Sequence, residues 1–173
     1  MMINTDWCRT MAAYNAGMNR RIYDAADRLD DAARRQDLGA FFGSIFATLS
    51  HILWADHMWM HRFDGWARPP AGLADSVAFE PDWRALVAAR IRTDDGIADW
   101  AARVTQEQLE RDLAWFSAAT QAEMRRPCWL LVTHMFNHQT HHRGQAHALL
   151  TRLGQQTAET DLPWVVDLPA LGL

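Results

Sequence analysis

Apolar side chains recur along most of this chain at steps of three and four residues, a period that commits it to amphipathic helices rather than strands. In the first segment Trp7, Met11, Tyr14, Met18, Ile22, Ala25 and Leu29 follow at such steps over about six turns, with Thr5 or Asp6 placed to cap the start. Residues 30–39 are charged and aperiodic and read as a connector. A second helix is expected over about 40–63, with Phe42, Ile45, Phe46, Leu49, Ile52, Leu53, Met60 and Phe63 on one stripe and Ala47, Trp54 and Met58 nearly opposite. Apolarity on two sides calls for cover on two sides, by the bundle and by a second copy of the chain, so a homodimer is expected. Gly65, Pro69, Pro70, Gly72 and Pro81 then mark a long surface loop.

Asp82 is placed to cap a third helix carrying Trp83, Leu86, Val87, Ile91, Ile97 and Trp100 to about Arg103. Residues 105–126 have no clear period and are read as irregular, with one helical turn or a short extended excursion. Pro127 opens a fourth helix, with Leu131, Met135, His138, His142, Leu149 and Leu153 on one face and Gly154 at its end. In the tail, Trp164, Val165 and Val166 read as an extended strap on the bundle. The expected fold is all-α: an antiparallel four-helix bundle formed by residues 1–173 as one domain, with a long loop between the second and third helices and an extended C-terminal tail.

Composition narrows the function. With 49% hydrophobic residues the chain can build one core without disulfides, and its two cysteines, Cys8 and Cys128, are expected to be packing residues in a reducing compartment. All 17 basic residues are arginines, dispersed among 21 acids, and the net charge is −4. That pattern disfavours a nucleic-acid partner held through its phosphates, and the absence of lysine removes Schiff-base chemistry and lysine-bearing phosphate loops. No stretch approaches the roughly 18 consecutive apolar residues that cross a bilayer, and the N-terminus lacks a basic region followed by an apolar one. The expectation is a cytoplasmic protein with no membrane partner.

Five of the eight histidines fall between 134 and 147. At 100° per residue His134, His138 and His142 lie within about 80° of one another, on the face of Leu131, Met135 and Leu149, and are expected to point inward. His141 lies at the edge of that face and His147 on the opposite side. Histidines at i and i+4 stand one above the other, so His138 and His142 can reach a single divalent ion. Gln139 occupies the place where a metalloprotease HExxH motif has its glutamate, so that reading fails.

A third donor has to come from His51, His57, His61, Asp56 or His134. His51 shares its side of the second helix with Ala47, Trp54, Ala55 and Met58, whereas Asp56 lies about 140° away in the main apolar stripe. Those two do not readily serve one site as ligands; Asp56 needs a buried partner such as Arg or His, and it is read equally as a structural ion pair and as a residue that supports or lines the site. His57 and His61 form a second i, i+4 pair near the helix end, expected to touch solvent. Gln145 is placed inward, able to orient a ligand, and Arg143 outward. A lone histidine pair on a helix is more often incidental than metal-binding. Burying two or three imidazoles without partners, however, costs on the order of 1–3 kcal/mol each, which shared coordination or hydrogen bonding removes.

The stretches AFFGSIFATLSHILWADHMWMHRFDG (40–65) and HMFNHQTHHRGQAHALLTRLG (134–154) resemble the DinB family of four-helix metalloproteins, and the resemblance runs over most of the chain. It implies a divalent metal held by His51, in LSHILWAD, and by His138 and His142, in NHQTHHRGQ. His134, in an overlapping second HxxxH, then lines the pocket or supports a ligand from behind. Imidazole donors suit zinc or nickel, and three neutral ligands leave a coordination position open, as in catalytic sites. The resemblance further implies activation of a low-molecular-weight thiol such as glutathione, mycothiol or bacillithiol for S-transfer or isomerisation of a small-molecule substrate. Two other readings stay open: a non-catalytic metal-binding stress-response dimer, and a metal-dependent hydrolase for which no general base is evident.

Overall fold

The computed structural model describes residues 2–117 and 120–173. Helix α1 (Thr5–Asp27) starts one residue earlier than the expected caps, because the Asn4 side chain accepts from the Trp7 N–H at 2.8 Å. The connector contains a short helix, α2 (Asp31–Arg35), opened by Asp30 accepting from the Ala33 N–H. Five residues are too few to display a period. Helix α3 (Ile45–Asp64) begins later than the apolar stripe suggests, since residues 40–43 form a tight turn and Ser44 is the cap; it ends at Gly65 in the left-handed region at φ 69°. Helix α4 (Trp83–Arg103) is capped by Asp82, as expected.

The described residues between 105 and 126 form more regular structure than expected. Thr105 caps a one-turn helix, α5 (Gln106–Glu110), and an antiparallel hairpin follows, β1 (Asp112–Ser117) with β2 (Ala122–Pro127), Asp112 facing Pro127. The fold is therefore a helical bundle carrying one small hairpin; residues 118 and 119 of this stretch lie outside the described residues. Helix α6 (Cys128–Arg152) follows Pro127 and stops where Gly154 adopts φ 75°. The tail is not an extended strap. It contains a helical turn, α7 (Leu162–Val165), which approaches α1 at Gly17, where a Cβ would lie 2.7 Å from Val165 Cγ1. Trp164 itself stays 73% exposed. Among the described residues no helix is long and apolar enough to cross a membrane.

Side-chain pairs reveal how the four long helices run. Asp56, His57 and Asp64 of α3 meet Arg90, Thr93 and Arg103 of α4 in ascending order, so these helices are parallel. Asn15 and Arg28 of α1 meet Arg143 of α6 and Gln155 just beyond it, also in ascending order. The two pairs oppose each other, His51 meeting His138 while Trp59 meets His134, and Asp27 meeting Trp83 while Asn19 meets Asp94. A parallel α3 and α4 oblige the chain to travel back along a 20-residue helix, about 30 Å. Residues 65–82 make that return, with a 3-10 helix (Leu73–Ala78) packed on α3. Trp54 Nε1 donates to Ala71 O at 2.9 Å, and the Phe79 N–H donates to Ser50 Oγ at 2.8 Å. This segment packs on the side of α3 that carries Ser50, His51 and Trp54, while Ala47, Trp54 and Met58 of its second apolar side stay partly exposed.

The core has two apolar clusters, one around Ile22, Leu49, Leu53, Leu86 and Leu150, the other around Met60, Ile97, Trp100, Met135 and Phe136. Between them lies a buried polar layer drawn from all four long helices. Arg90 NH1 donates to Asp56 Oδ2 at 2.6 Å, Arg90 NH2 lies 2.8 Å from Asp94 Oδ1, and Gln139 Nε2 donates to Asp56 Oδ1 at 2.7 Å. Asn15 and Asn19 donate to Asp94 and accept from Arg143. Burial opposes the Arg90 charge, but Asp94 and Asp56 more than offset it and hold its pKa above the ordinary value. Asp56→Ala is therefore expected to destabilise the protein by about 3–5 kcal/mol in urea unfolding, because it strips a buried cation of one partner and Gln139 of its acceptor.

Candidate metal centre

His51 projects from the middle of α3 and His138 and His142 from successive turns of α6. Each offers a ring nitrogen within 4.8 Å of the other two. His51 Nε2 and His138 Nε2 face each other at 3.2 Å, and the rings of His138 and His142 stand 4.4 Å apart, centroid to centroid.

The far sides of two rings are held. His142 Nδ1 donates to Gln145 Oε1 at 2.8 Å, which leaves its Nε2 with a free lone pair, and His51 Nδ1 lies 2.9 Å from the hydroxyl of the fully buried Ser76. Gln145 Nε2 reaches His141 Nε2 at 3.2 Å, steadying the amide. Partners of this kind set the tautomer and orientation of metal-binding histidines. Burial, then the charge on His142, pushes the His51 pKa down to about 4; burial followed by the other histidines takes His138 to about 3, and burial also lowers His142 against the pull of Gln145. All three imidazoles are neutral at pH 7, the state in which they donate to a metal.

The rings form the floor of a pocket of about 450 Å³, walled by Phe41, Phe42, Leu73 and His141. Phe42 packs on two of them, its centroid 4.1 Å from His51 and 5.2 Å from His142. Trp54 lies along His51 at 5.8 Å. No Asp, Glu or Arg lines the pocket among the described residues. A donor set of three neutral imidazoles, with carboxylates kept away and one side open, fits a borderline divalent ion better than a hard, oxygen-seeking one.

Several residues fall elsewhere than expected. His134 does not point inward: it is exposed, its ring 5.2 Å from that of Trp59 on α3 and 5.8 Å from that of His138. Asp56 stays outside the site, its two oxygens engaged by Arg90 and Gln139. Arg143 is buried on Asn15 rather than outward; α6 packs against both α1 and α3, so its buried arc is wider than one stripe. His57 and His61 are used one by one, His57 Nε2 with Thr93 Oγ1 at 2.9 Å and His61 Nδ1 with Trp66 O at 2.7 Å. Ser76, Phe41 and Leu73 escape sequence reasoning. Ser76 and Leu73 sit in an aperiodic loop, and Phe41 was absorbed into the start of the second helix; the glycines at 39 and 43, at φ 80° and 76°, were the one available sign of a turn.

Against known proteins, the profile of the DinB family matches residues 1–169. Protein DinB of Bacillus subtilis (strain 168) is 25% identical over 166 residues, covering 91% of this chain and 92% of that protein.

Two outcomes test the geometry. Ser76→Ala should weaken zinc binding by about tenfold or more in competition with a chromophoric chelator, whereas His134→Ala should leave it unchanged. In metal-free protein the neutral His51 and His138 must gain protons on unfolding below their ordinary pKa of 6.5. Their contribution to stability is thus whole above pH 6.5 and is lost as the pH falls towards about 4 for His51 and about 3 for His138, so the thermal midpoint should drop across that window and drop less in His138→Gln.

Proposed function

The chain belongs to the DinB family, and we propose that it is a metal-dependent enzyme that activates a low-molecular-weight thiol for S-transfer or isomerisation of an electrophilic small molecule. One observation carries this reading: three neutral imidazoles, on two helices, converge on the floor of an open pocket that no carboxylate lines among the described residues. A zinc or nickel ion held by His51, His138 and His142 would supply the Lewis acidity that keeps a thiol sulfur deprotonated near neutral pH.

The surrounding residues suit that task. Ser76 and Gln145 hold the His51 and His142 rings from behind, so the donor geometry exists before a ligand arrives. Phe42 lies over two of the rings and excludes water from that side, which strengthens electrostatic interactions within the pocket. The sulfur must come from outside the chain. Burial pushes the Cys8 thiol up to about 12, with Cys128 nearby adding to the shift, and burial pushes Cys128 up to about 11. Neither is a thiolate at neutral pH. In S-transfer a carbon–sulfur bond forms at the electrophilic carbon, the leaving group departs with the bonding pair, and the thiol proton passes to solvent. Hydrolysis is less well supported: it calls for a general base, the pocket lining holds no carboxylate among the described residues, and Nε2 of its one imidazole outside the three ligands, His141, is already met by Gln145 Nε2 at 3.2 Å.

With zinc or nickel restored, wild-type protein should conjugate at least one of glutathione, bacillithiol or mycothiol to 1-chloro-2,4-dinitrobenzene, releasing chloride. His51→Ala, His138→Ala and His142→Ala should each lose both the activity and the bound metal, counted by elemental mass spectrometry. A folded, metal-loaded wild type with no turnover across the thiol and electrophile panel would overturn the reading.

A further inference from the structure

The mouth of the pocket is built by a segment that the metal-holding role leaves unexplained. Residues 40–43 form a turn closed by the Gly43 N–H donating to Ala40 O at 2.8 Å and the Leu38 N–H donating to Gly43 O at 2.9 Å. Asp37 Oδ1 accepts from the Gly39 N–H at 2.9 Å, and Gly39 and Gly43 adopt φ 80° and 76°, so the turn has a defined shape. It presents two adjacent phenylalanines. Phe42 is inward against His51 and His142, and Phe41 stands edge-on to it, centroids 4.9 Å apart and planes at 88°. Phe41 is 78% exposed, and Leu73 in the same pocket wall is 59% exposed.

An exposed phenylalanine is ordinary when isolated. Here two large exposed apolar side chains and a half-buried third share one pocket wall, directly above the candidate ligands, and the lining contains no Arg, Asp or Glu among the described residues. A carboxylate entering this wall would lose its hydration and find no cation to replace it. A flat apolar group would bury its own face and that of Phe41.

We infer that the Phe41–Phe42 turn, together with Leu73, is a specificity element that seats an uncharged aromatic reactant over the three histidines and discriminates against reactants carrying a carboxylate on that ring. The inference rests on the proposed thiol chemistry and deepens it. Phe41 acts on the substrate's ring and takes no part in holding the metal.

The test uses full-length protein loaded with cobalt(II), whose visible spectrum changes when sulfur joins its ligands. The probes are benzyl mercaptan, which puts a sulfur and a ring in one molecule, its 4-carboxylate analogue and 2-mercaptoethanol. Benzyl mercaptan should bind about tenfold more tightly than either of the others, the order expected from covering one aromatic face. Phe41→Ser should abolish that preference while cobalt stoichiometry stays at the wild-type value, and Phe41→Tyr should retain it. Equal binding of the carboxylate analogue, or a preference that survives Phe41→Ser, overturns the inference while leaving the thiol reading standing. A cobalt spectrum that none of the three thiols alters overturns the thiol reading itself and this inference with it.

Discussion

The carboxylate of Asp56 holds the bundle in the arrangement on which the site depends. One oxygen takes a hydrogen bond from Arg90 on α4 and the other from Gln139 on α6, so a single buried group ties three helices at one level. Gln139 follows His138 directly. Fixing its side chain on α3 sets both the height and the rotation of α6, and that rotation turns His138 and His142 towards His51. The apolar clusters above and below could tolerate small slips of one helix on another, since dispersion contacts are individually weak and non-directional. A charged, hydrogen-bonded layer cannot slip by a turn without orphaning Arg90 or Arg143, both buried. The polar layer thus adds specificity of register where the apolar core adds stability.

The same burial that makes the polar layer demanding prepares the histidines. Three imidazoles in close contact repel one another when protonated and lose hydration when buried, so both effects favour the neutral form. Neutral rings need other polar partners or a metal, and Ser76 and Gln145 supply partners on the far side of two of them. His51 Nε2 and His138 Nε2 are left facing each other. At 3.2 Å a proton on one ring satisfies only that pair, whereas a divalent ion would take a lone pair from each of the three histidines.

Much of this was legible in the residues. The four long helices follow from a 3.6-residue period that needs no tertiary information, and the HxxxH pair follows from the same period applied to polar residues. His51 is a different case: the wheel put it on the lesser apolar side of its helix, and the family resemblance, not the period, singled it out. What stayed hidden is what no period encodes. Arg143 looked outward because a single stripe was assumed for a helix that packs on two neighbours. The hairpin of β1 and β2 is obscured because burial alternates along β1 while the sequence does not, Leu113 to Phe116 being an unbroken apolar run with Phe116 exposed, and Ser76 because a loop residue's partner depends on where the loop is laid down.

The course of that loop is set by topology. Helices α3 and α4 are consecutive yet parallel, so the chain between them must run the length of the bundle, and it does so against the second side of α3. His51 lies on that side. The return segment therefore passes over the back of the His51 ring and delivers Ser76 to its Nδ1, Ala71 to the Trp54 indole and Leu73 to the pocket mouth. An antiparallel α3 and α4 would need only a short turn at the helix end, leaving His51 without a partner for Nδ1 and the pocket without one wall. The parallel crossover, a burden in loop-closure entropy, is thus what converts three converging histidines into an oriented and partly enclosed site.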